Sequence, residues 1–235
     1  RKQKDLIFIQ LYDGSHVAPL QLLVEDKKEV RDKIESKLHI GTCIEASGKI
    51  VESPAKGQSI EMIVEDCNII GEVRDPDNYL PGIKNVPQEY PRRTQYLRPK
   101  FRSYASIYRI RSYLLKTINE YFHSRNFLHL DPNICTKSDC EGAGETFTIT
   151  SSLKSGKLSD IPVVDNSDVI DFSSDFFGEQ TYLTVSSQLQ LEALCCGMGP
   201  VYTMNPSFRA EKSKTKRHLA CFTHLEWEIP FIDLK

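Results

Sequence analysis

Residues 208–228 read FRAEKSKTKRHLACFTHLEWE, and this stretch predicts two strands joined by a charged loop. Side chains two residues apart on a strand point to the same face, so Arg209 and Glu211 are expected to face the same way. The Lys-, Ser- and Thr-rich residues that follow indicate the turn. By the same period, one face of the return strand carries Phe222, His224, Glu226 and Glu228.

If the two faces coincide, a guanidinium, carboxylates and an aromatic ring converge beneath a basic loop. A guanidinium can bind a phosphate, a carboxylate can accept from an exocyclic amine, and a ring can stack on a base. This combination suits a nucleoside triphosphate together with a small polar molecule. Two ordinary alternatives remain open: a charged hairpin tip is commonly a solvated turn, and Phe222 is an aromatic residue of the kind often found in a core.

The stretch resembles the second signature motif of class II aminoacyl-tRNA synthetases. Two further segments narrow the resemblance to the asparaginyl enzymes of the aspartyl, asparaginyl and lysyl subgroup. Residues 136–147, TKSDCEGAGETF, resemble their mobile substrate loop, and residues 182–189, YLTVSSQL, resemble their amino-acid-binding strand and the helix after it. The N-terminal segment is similar to the family's anticodon-binding OB-fold, so the resemblance covers essentially the whole chain.

The resemblance implies an α+β chain with a partial OB-fold β-barrel followed by part of an antiparallel class II catalytic sheet with flanking helices. We expect an anticodon-binding domain over 1–75, a proline-interrupted linker over 76–99 and a catalytic domain with motifs 1 and 2 over 100–235. The predicted OB strands are Leu6–Tyr12, Leu20–Val24, Cys43–Val51 and Ile60–Val73, with a helix between 25 and 38. The first OB strand, the third motif and the acidic Mg²⁺ ligands are expected to lie outside residues 1–235.

A long amphipathic helix is predicted over 103–125, because apolar side chains recur there at helical spacing. These are Ile107, Ile110, Leu114, Leu115, Ile118 and Phe122. A strand beginning at Phe127 and ending at Pro132 follows it. The pair resembles motif 1, which implies a homodimer through the helix, whereas the pattern alone fits an ordinary core helix equally well. The polar, patternless residues 151–174 are expected to form a mobile insertion.

By resemblance, the nucleotide is ATP. Arg209 is expected to bind its α-phosphate and to act in catalysis, where a cation helps two anions to meet. Glu211 is expected to accept from the adenine amino group. Arg217 and His218 would reach the outer phosphates, and Phe222 would stack on adenine.

The amino acid implied by the resemblance is asparagine. Glu141, Ser186 and Gln188 are expected to hold its ammonium group and backbone, although Ser and Gln before a helix also serve as caps. Glu226 is expected to accept from the side-chain amide and to repel an aspartate carboxylate. The related aspartyl enzymes usually carry a shorter acid at this position.

For the OB segment, the resemblance places Phe8, Gln21 and Glu61 in contact with the tRNA anticodon. An exposed ring offers a stacking platform, and an amide can read the edge of a splayed base. The alternative for Phe8 is a place in the barrel core, which strand parity alone does not exclude.

The composition restricts the compartment and the kinds of partner that the protein can have. The seven cysteines lack metal-ligand spacing and are odd in number, which indicates free thiols in a reducing compartment, and a cytoplasmic location is expected. No run is apolar enough to span a membrane, and the net charge of −2 requires that any RNA contact come from local patches.

The sequence therefore predicts an ATP-dependent ligase that forms asparaginyl-adenylate and transfers asparagine to tRNA(Asn). Three alternatives remain: an aspartyl-tRNA synthetase of relaxed specificity, a tRNA-independent paralogue, and a non-catalytic or regulatory synthetase fragment.

Overall fold

The computed structural model of the protein describes every residue of 1–235 except Lys4, Asp26, Lys214, Lys216, Leu234 and Lys235. The chain divides into two units, Arg1–Tyr113 and Leu114–Lys235, and the division falls inside a long helix. Within the described residues, every helix is too short or too polar to cross a membrane.

A five-stranded sheet forms the centre of the first unit. Its strands are β1 (Lys2–Gln3), β2 (Leu6–Leu11), β3 (Leu20–Val24), β4 (Cys43–Glu52) and β5 (Ile60–Gly71), with helix α1 (Lys28–Ile34) between β3 and β4. The order across the sheet is β1-β2-β3-β5-β4, and only β3 and β5 pair in parallel. The strand prediction omitted β1, because two residues are too few to show an alternating pattern.

Alternation along the strands separates the core from the opposite face of this sheet. Val30 and Ile34 of α1 pack into the core, which confirms the predicted amphipathic helix, although it is shorter than 25–38. The core residues are Ile7, Leu22, Val24, Val30, Ile34, Val64 and Cys67. Phe8 follows Ile7 along β2, so its half-buried ring lies on the other face and outside this core.

Residues 76–100, most of which were predicted to be a linker, contain short helical turns. These are a 3-10 turn at Leu80–Gly82, helix α2 (Glu89–Arg93) and a 3-10 turn at Gln95–Lys100. Proline fixes φ near a helical value and needs no backbone hydrogen bond in a first turn, which fits the place of Pro81. The Arg98 guanidinium donates to the carbonyl of Pro91 at 3.1 Å. The domain boundaries at 75 and 99 stay a prediction.

Helix α3 (Arg102–His123) confirms the long helix predicted over 103–125. Near its end, the ring of Phe122 is buried and stacks on Tyr202, with centroids 4.5 Å apart and planes 13° apart. Ile107, Ile110 and Leu114 stay 58%, 66% and 56% exposed. Only part of the predicted apolar face therefore packs inward.

Two short sheets and one helix form the body of the second unit. Its elements after α3 are β6 (Leu128–His129), β7 (Cys135–Thr136), β8 (Phe147–Ile149), β9 (Thr181–Leu183), α4 (Gln188–Met198), β10 (Val201–Phe208) and β11 (Cys221–Glu228). The sheets have the orders β11-β10-β6 and β7-β9-β8. Thr184 joins them, because its carbonyl accepts from Phe208 and its N–H donates to Ile134, each at 2.8 Å. Helix α4 packs on β10 and β11. Its buried residues Leu191 and Cys195 form a small core with Val201 of β10.

The insertion predicted over 151–174 contains 3-10 turns at Leu158–Asp160 and Phe172–Ser174. Its two ends meet at Asp175, whose carboxylate accepts from the Ser151 N–H at 2.8 Å and from the Ser151 hydroxyl. These hydrogen bonds, the hydroxyl first, lower the pKa of Asp175. The insertion is thus closed at its base, while its mobility stays a prediction.

Candidate active site

Strands β10 and β11 form the antiparallel hairpin that the sequence predicted. Phe222 lies opposite Ser207, and Glu226 lies opposite Thr203. The pairing is regular from one end of the hairpin to the other, so alternate residues of β11 share a face. This confirms that Phe222, His224, Glu226 and Glu228 face the same way. Cys221 belongs to the other set.

Arg209 and Glu211 follow β10 instead of lying on it, since the strand ends at Phe208. The Arg209 N–H still donates to the Ala220 carbonyl at 3.0 Å, which continues the pairing by one residue. Its guanidinium carbon lies 5.5 Å from the centre of the Phe222 ring. The structure therefore brings the predicted arginine and aromatic ring together at the open end of the hairpin.

The Arg209 Nε is buried and lacks a hydrogen-bond partner among the described residues. An unpaired buried donor costs about 1–3 kcal/mol, and more when the group is charged. An anion held by the guanidinium would remove that penalty, because charge-assisted hydrogen bonds to phosphate are among the strongest in proteins. The arginine is thus the residue of this site that most needs an anionic ligand.

The predicted substrate loop lies against Arg209. The Ala210 N–H donates to the Glu145 carbonyl at 2.7 Å. A Cβ at Gly144 would lie 3.0 Å from the Arg209 side chain and 3.3 Å from Oε1 of Glu211. Glycine therefore lets the loop approach both side chains closely, and it places Glu211 beside Arg209. The sequence reasoning did not single out Gly144.

The basic loop places Arg217 and His218 at the surface, where both are exposed. The side-chain contacts of His218 lie within the loop: its Nδ1 is 3.1 Å from the Ser213 hydroxyl and also contacts the Thr215 hydroxyl. Lys214 and Lys216 of the quoted motif lie outside the described residues. The structure thus leaves both predicted phosphate ligands facing solvent.

Glu226 is the most firmly held side chain of the hairpin face, and only 12% of it is exposed. Its Oε1 accepts from the Ser186 hydroxyl, and its Oε2 accepts from the Ser187 N–H at 3.0 Å. His224 lies 3.4 Å from the same carboxylate and 3.1 Å from the Ser207 hydroxyl. A carboxylate has lone pairs to spare beyond these contacts, so it can still accept from a ligand.

Ser186, just before α4, contacts the Glu226 carboxylate, and Gln188, the first residue of α4, contacts Ser186. The Ser186 hydroxyl accepts from the Gln188 N–H at 3.1 Å while donating to Glu226, so it serves both the helix start and the site. The Gln188 amide donates to Glu192 at 3.0 Å, and its oxygen lies 4.0 Å from the Cys140 sulfur. Three members of the predicted set around asparagine, Ser186, Gln188 and Glu226, are therefore linked by direct contacts, whereas these contacts do not include Glu141.

Glu141 sits at the tip of the predicted substrate loop and is exposed. Cys140, Glu141 and Gly142 have φ of 50°, 57° and 70°, three left-handed residues in succession. Such a conformation is unfavourable for residues with a side chain. It turns the chain so that Cys140 is buried toward Gln188 while Glu141 points outward.

Glu228 is a further acid on the same face of β11. The sequence analysis placed it on this face but assigned it no role. Burial, then the charges of Glu192 and Glu226, raise its pKa. His224 was likewise noted only for its position. The period of two on β11 identified both, but their interactions depend on partners from α4 and β10 that no local pattern shows.

Replacing Glu228 with glutamine is expected to raise the thermal unfolding midpoint at about pH 8, since a raised pKa means that the ionised form opposes folding there. As the pH falls through the folded-state pKa and then the ordinary value for glutamate, the native carboxyl becomes neutral in both states and the gain should shrink. Thermal scans from about pH 8 to about pH 4 measure this difference. Glu120→Gln on the exposed side of α3 is the control, and a gain independent of pH would contradict the explanation.

Three residues of the first unit that the resemblance assigned to the anticodon lie on one face of the sheet. Gln21 of β3 lies opposite Glu61 of β5, and Phe8 is on the same face of β2. The Gln21 amide donates to Glu61 Oε2 at 2.9 Å, and Glu61 is only 5% exposed. Their shared face is the one opposite the core, so the ring, the amide and the carboxylate form a polar and aromatic patch.

Metal binding finds no support in these contacts. In the part of the chain that the structure describes, His, Cys, Asp and Glu do not gather in threes where they could hold an ion. No described residue is assigned to Mg²⁺.

The first unit offers a five-stranded sheet with a polar and aromatic face, and the second offers a polar hairpin whose arginine has a buried donor without a partner among the described residues. The family described as tRNA synthetases class II (D, K and N) matches residues 87–235, and the OB-fold nucleic acid binding domain matches residues 1–70. The chain belongs to the class II tRNA synthetase family of the D, K and N type.

Its relatives include two asparagine–tRNA ligases. That of Photobacterium profundum is 39% identical over 227 residues, covering 97% of this chain and 48% of the relative. That of Legionella pneumophila is 41% identical over 230 residues, covering 98% and 48%. The solved structure of Entamoeba histolytica asparaginyl-tRNA synthetase in complex with asparaginyl-adenylate has a TM-score of 0.75 and 26% identity, over 98% of this chain and 47% of that one. The chain spans about half the length of the curated relatives it matches.

Proposed function

We propose that the protein to which this chain belongs activates asparagine with ATP to asparaginyl-adenylate and transfers it to tRNA(Asn). The observation that carries the proposal is the likeness, over nearly the whole chain, to proteins named asparagine–tRNA ligase. The adenylate bound by the similar Entamoeba structure supports the same chemistry.

We assign the nucleotide to the open end of the hairpin. Arg209 binds the α-phosphate, which supplies a hydrogen-bond acceptor for its buried Nε. Phe222 stacks on adenine beside it. Glu211 accepts from the adenine amino group. Arg217 and His218 reach the outer phosphates from the exposed loop. The asparagine carboxylate attacks the α-phosphorus of ATP and pyrophosphate leaves, so positive charge beside the reacting phosphate lowers the barrier more than a general base does.

We assign asparagine to the neighbouring part of the face. Glu226 accepts from its side-chain amide, while Glu141, Ser186 and Gln188 hold its ammonium group and backbone. The carboxylate of aspartate would meet the fixed charge of Glu226 and be repelled. The hydrogen bond from the Ser186 hydroxyl holds the Glu226 carboxylate in place, which supports recognition of a single substrate group, the side-chain amide.

Asparagine-dependent exchange of pyrophosphate into ATP by the intact protein tests this function. We expect exchange with asparagine and much slower exchange with aspartate, because a site built on one hydrogen bond rejects the analogue that cannot make it. Exchange with aspartate alone would identify an aspartyl enzyme instead. Loss of both activities in a soluble, folded protein would favour a non-catalytic role.

Transfer to tRNA requires recognition of the anticodon, which we assign to the patch of Phe8, Gln21 and Glu61. The match of residues 1–70 to a nucleic acid binding OB-fold supports this assignment. A half-buried ring on the outer face of the sheet can stack on a base, and the amide and carboxylate can read its edge. We retain 1–75, 76–99 and 100–235 as the proposed bounds of the OB domain, the linker and the catalytic domain.

We further propose that α3 forms a homodimer interface. Ile107, Ile110 and Leu114 share a side of the helix and are more than half exposed. Large apolar side chains in contiguous exposed positions mark an interaction surface.

Ile110→Glu is therefore expected to convert a dimer into monomers that still fold, because the side chain contributes little to the core. Sedimentation velocity of the intact protein measures the change. Lys116→Glu, on a different side of the helix and 70% exposed, is the matched control. A dimer that survives Ile110→Glu would place the interface elsewhere.

A further inference from the structure

We infer that Ser53 and Gln58 are positioning residues that fix the Glu61 carboxylate as an acceptor for the ring N–H of an RNA base. The inference rests on the proposed binding of tRNA by the OB-fold. Both residues lie in the loop between β4 and β5, outside the set that the sequence identified. They would act through Glu61 and not through direct contact with the base.

Three neutral donors converge on one oxygen of Glu61. Oε2 accepts from Gln21 Nε2 at 2.9 Å, from Ser53 Oγ at 3.0 Å and from Gln58 Nε2 at 3.0 Å. The residue is 5% exposed and has no cationic partner among these contacts. A buried carboxylate needs such hydrogen bonds, since burying a charge is otherwise unfavourable.

The loop also fixes the direction of each donor. The Ser53 hydroxyl accepts from Gln58 Nε2 at 2.8 Å and from the Ala55 N–H at 3.3 Å. With its lone pairs occupied, its single proton points to Glu61. Gln58 Nε2 lies within hydrogen-bond distance of both Ser53 Oγ and Glu61 Oε2. The Ser53 N–H donates to the Ser59 carbonyl at 3.0 Å and closes the loop around this network.

The second oxygen, Oε1, receives no hydrogen bond from the described residues and is not one of their fully buried unpaired atoms. It is therefore reachable by a ligand, and the donors on Oε2 hold it in one place. A carboxylate oxygen accepts only, so it selects a base with a donor at that point. Uracil and guanine carry a ring N–H there, whereas cytosine and adenine present a ring nitrogen that accepts.

Neighbouring groups complete the recognition of such a base. Gln21 donates one amide proton to Glu61, which leaves a second proton and its own carbonyl for the base edge. Phe8 lies on the same face and offers its ring for stacking. The three reading groups come from strands, while the two positioning groups come from one loop.

Binding of hairpin RNAs to the intact protein tests the inference. One hairpin carries the GUU anticodon that reads asparagine codons, and three others each replace one anticodon base, uracil by cytosine or guanine by adenine. We expect the native protein to discriminate against at least one replacement. Ser53→Ala and Gln58→Leu should each reduce that discrimination about tenfold, equivalent to about 1.4 kcal/mol. The dependence of affinity on salt should not change, because it reports phosphate contacts.

Two matched variants separate positioning from folding. Ser53→Thr keeps the hydroxyl and should retain discrimination, and Ser59→Ala removes an exposed hydroxyl of the same loop without effect. Unchanged discrimination in both Ser53→Ala and Gln58→Leu would overturn the inference, and so would an equal loss of affinity for all hairpins together with a lower unfolding temperature. Native protein that fails to discriminate overturns it as well. Failure of the proposed function is seen separately, since asparagine-dependent exchange is measured without RNA.

Discussion

Replacing Arg209 with alanine will reduce asparagine-dependent ATP–pyrophosphate exchange about 10³-fold, because removal of one preorganised charge stabiliser has effects of this order. The guanidinium stands beside the Phe222 ring with a buried Nε that has no partner among the described residues. Its charge is therefore placed before the nucleotide arrives. Stabilisation that is already in place when charge develops lowers the barrier most.

The fold is expected to survive this substitution. The backbone pairing of Arg209 with Ala220 does not depend on the side chain. Removing an unsatisfied buried donor should leave the unfolding temperature unchanged or slightly higher, since the penalty for its burial is lost. A site that is optimised for function and not for stability shows this combination of effects.

Arg209→Lys provides a sharper comparison, because it keeps the charge but removes the planar fork of donors. We expect it to recover only part of the lost exchange. Lys212→Ala, an exposed cation three residues along the same loop, should exchange at the native rate. Near-normal exchange by Arg209→Ala would remove the phosphate role from this residue, and a collapse of its unfolding temperature would show that the side chain is structural.

Much of the hairpin could be predicted, since a period of two is visible in the sequence wherever strands are regular. Phe222, His224, Glu226 and Glu228 were placed on one face from spacing alone, and the register confirms them. The position of Arg209 was predicted less well. Spacing placed it on the strand with Glu211, whereas β10 ends one residue earlier. Strand ends depend on pairing partners that the local sequence does not contain.

Long, strongly patterned elements were also predictable, and short ones were not. Helix α3 was placed within two residues at each end, because it repeats its apolar pattern over several turns. Strand β1 was missed, and the turns among the prolines of 76–100 were read as linker. A two-residue strand shows no alternating pattern, and proline fits the first turn of a helix as well as a linker.

The polar networks were the least visible part of the site. The ligand candidates Glu61 and Glu226 were identified through family resemblance, but the groups that hold them were not. Ser53 and Gln58 contact Glu61 from a loop, and the Ser187 N–H contacts Glu226 from the start of α4. The hydrogen bond from Ser187 to Glu226 joins residues 39 positions apart, which leaves no local pattern. The contacts of Ser53 and Gln58 with Glu61 span only 8 and 3 positions, but they depend on the conformation of a loop that has no periodic pattern.

Replacing Glu226 with glutamine is expected to reduce kcat/KM for asparagine about 10²-fold, which corresponds to about 2.7 kcal/mol. Both carboxylate oxygens accept from fixed donors, the Ser186 hydroxyl and the Ser187 N–H. An amide has only one acceptor oxygen, so its NH₂ group must face one of these donors or the substrate amide. Each arrangement sets donor against donor, which leaves buried polar groups unsatisfied.

Glu226→Gln should also reduce the selectivity for asparagine over aspartate, because activity with asparagine falls while activity with aspartate rises. Removing the charge ends the repulsion of the aspartate carboxylate, and the new NH₂ group can donate to it. Glu226→Asp is the matched comparison, because it keeps the charge but withdraws it by one methylene from the Ser187 N–H. It should lose asparagine activity without gaining aspartate activity. If Glu226→Gln exchanged pyrophosphate with asparagine at the native rate, or if Glu226→Asp gained aspartate equally well, the carboxylate would not be reading the amide. Steady-state exchange with each amino acid separates these outcomes, since charge and reach change independently in the two variants.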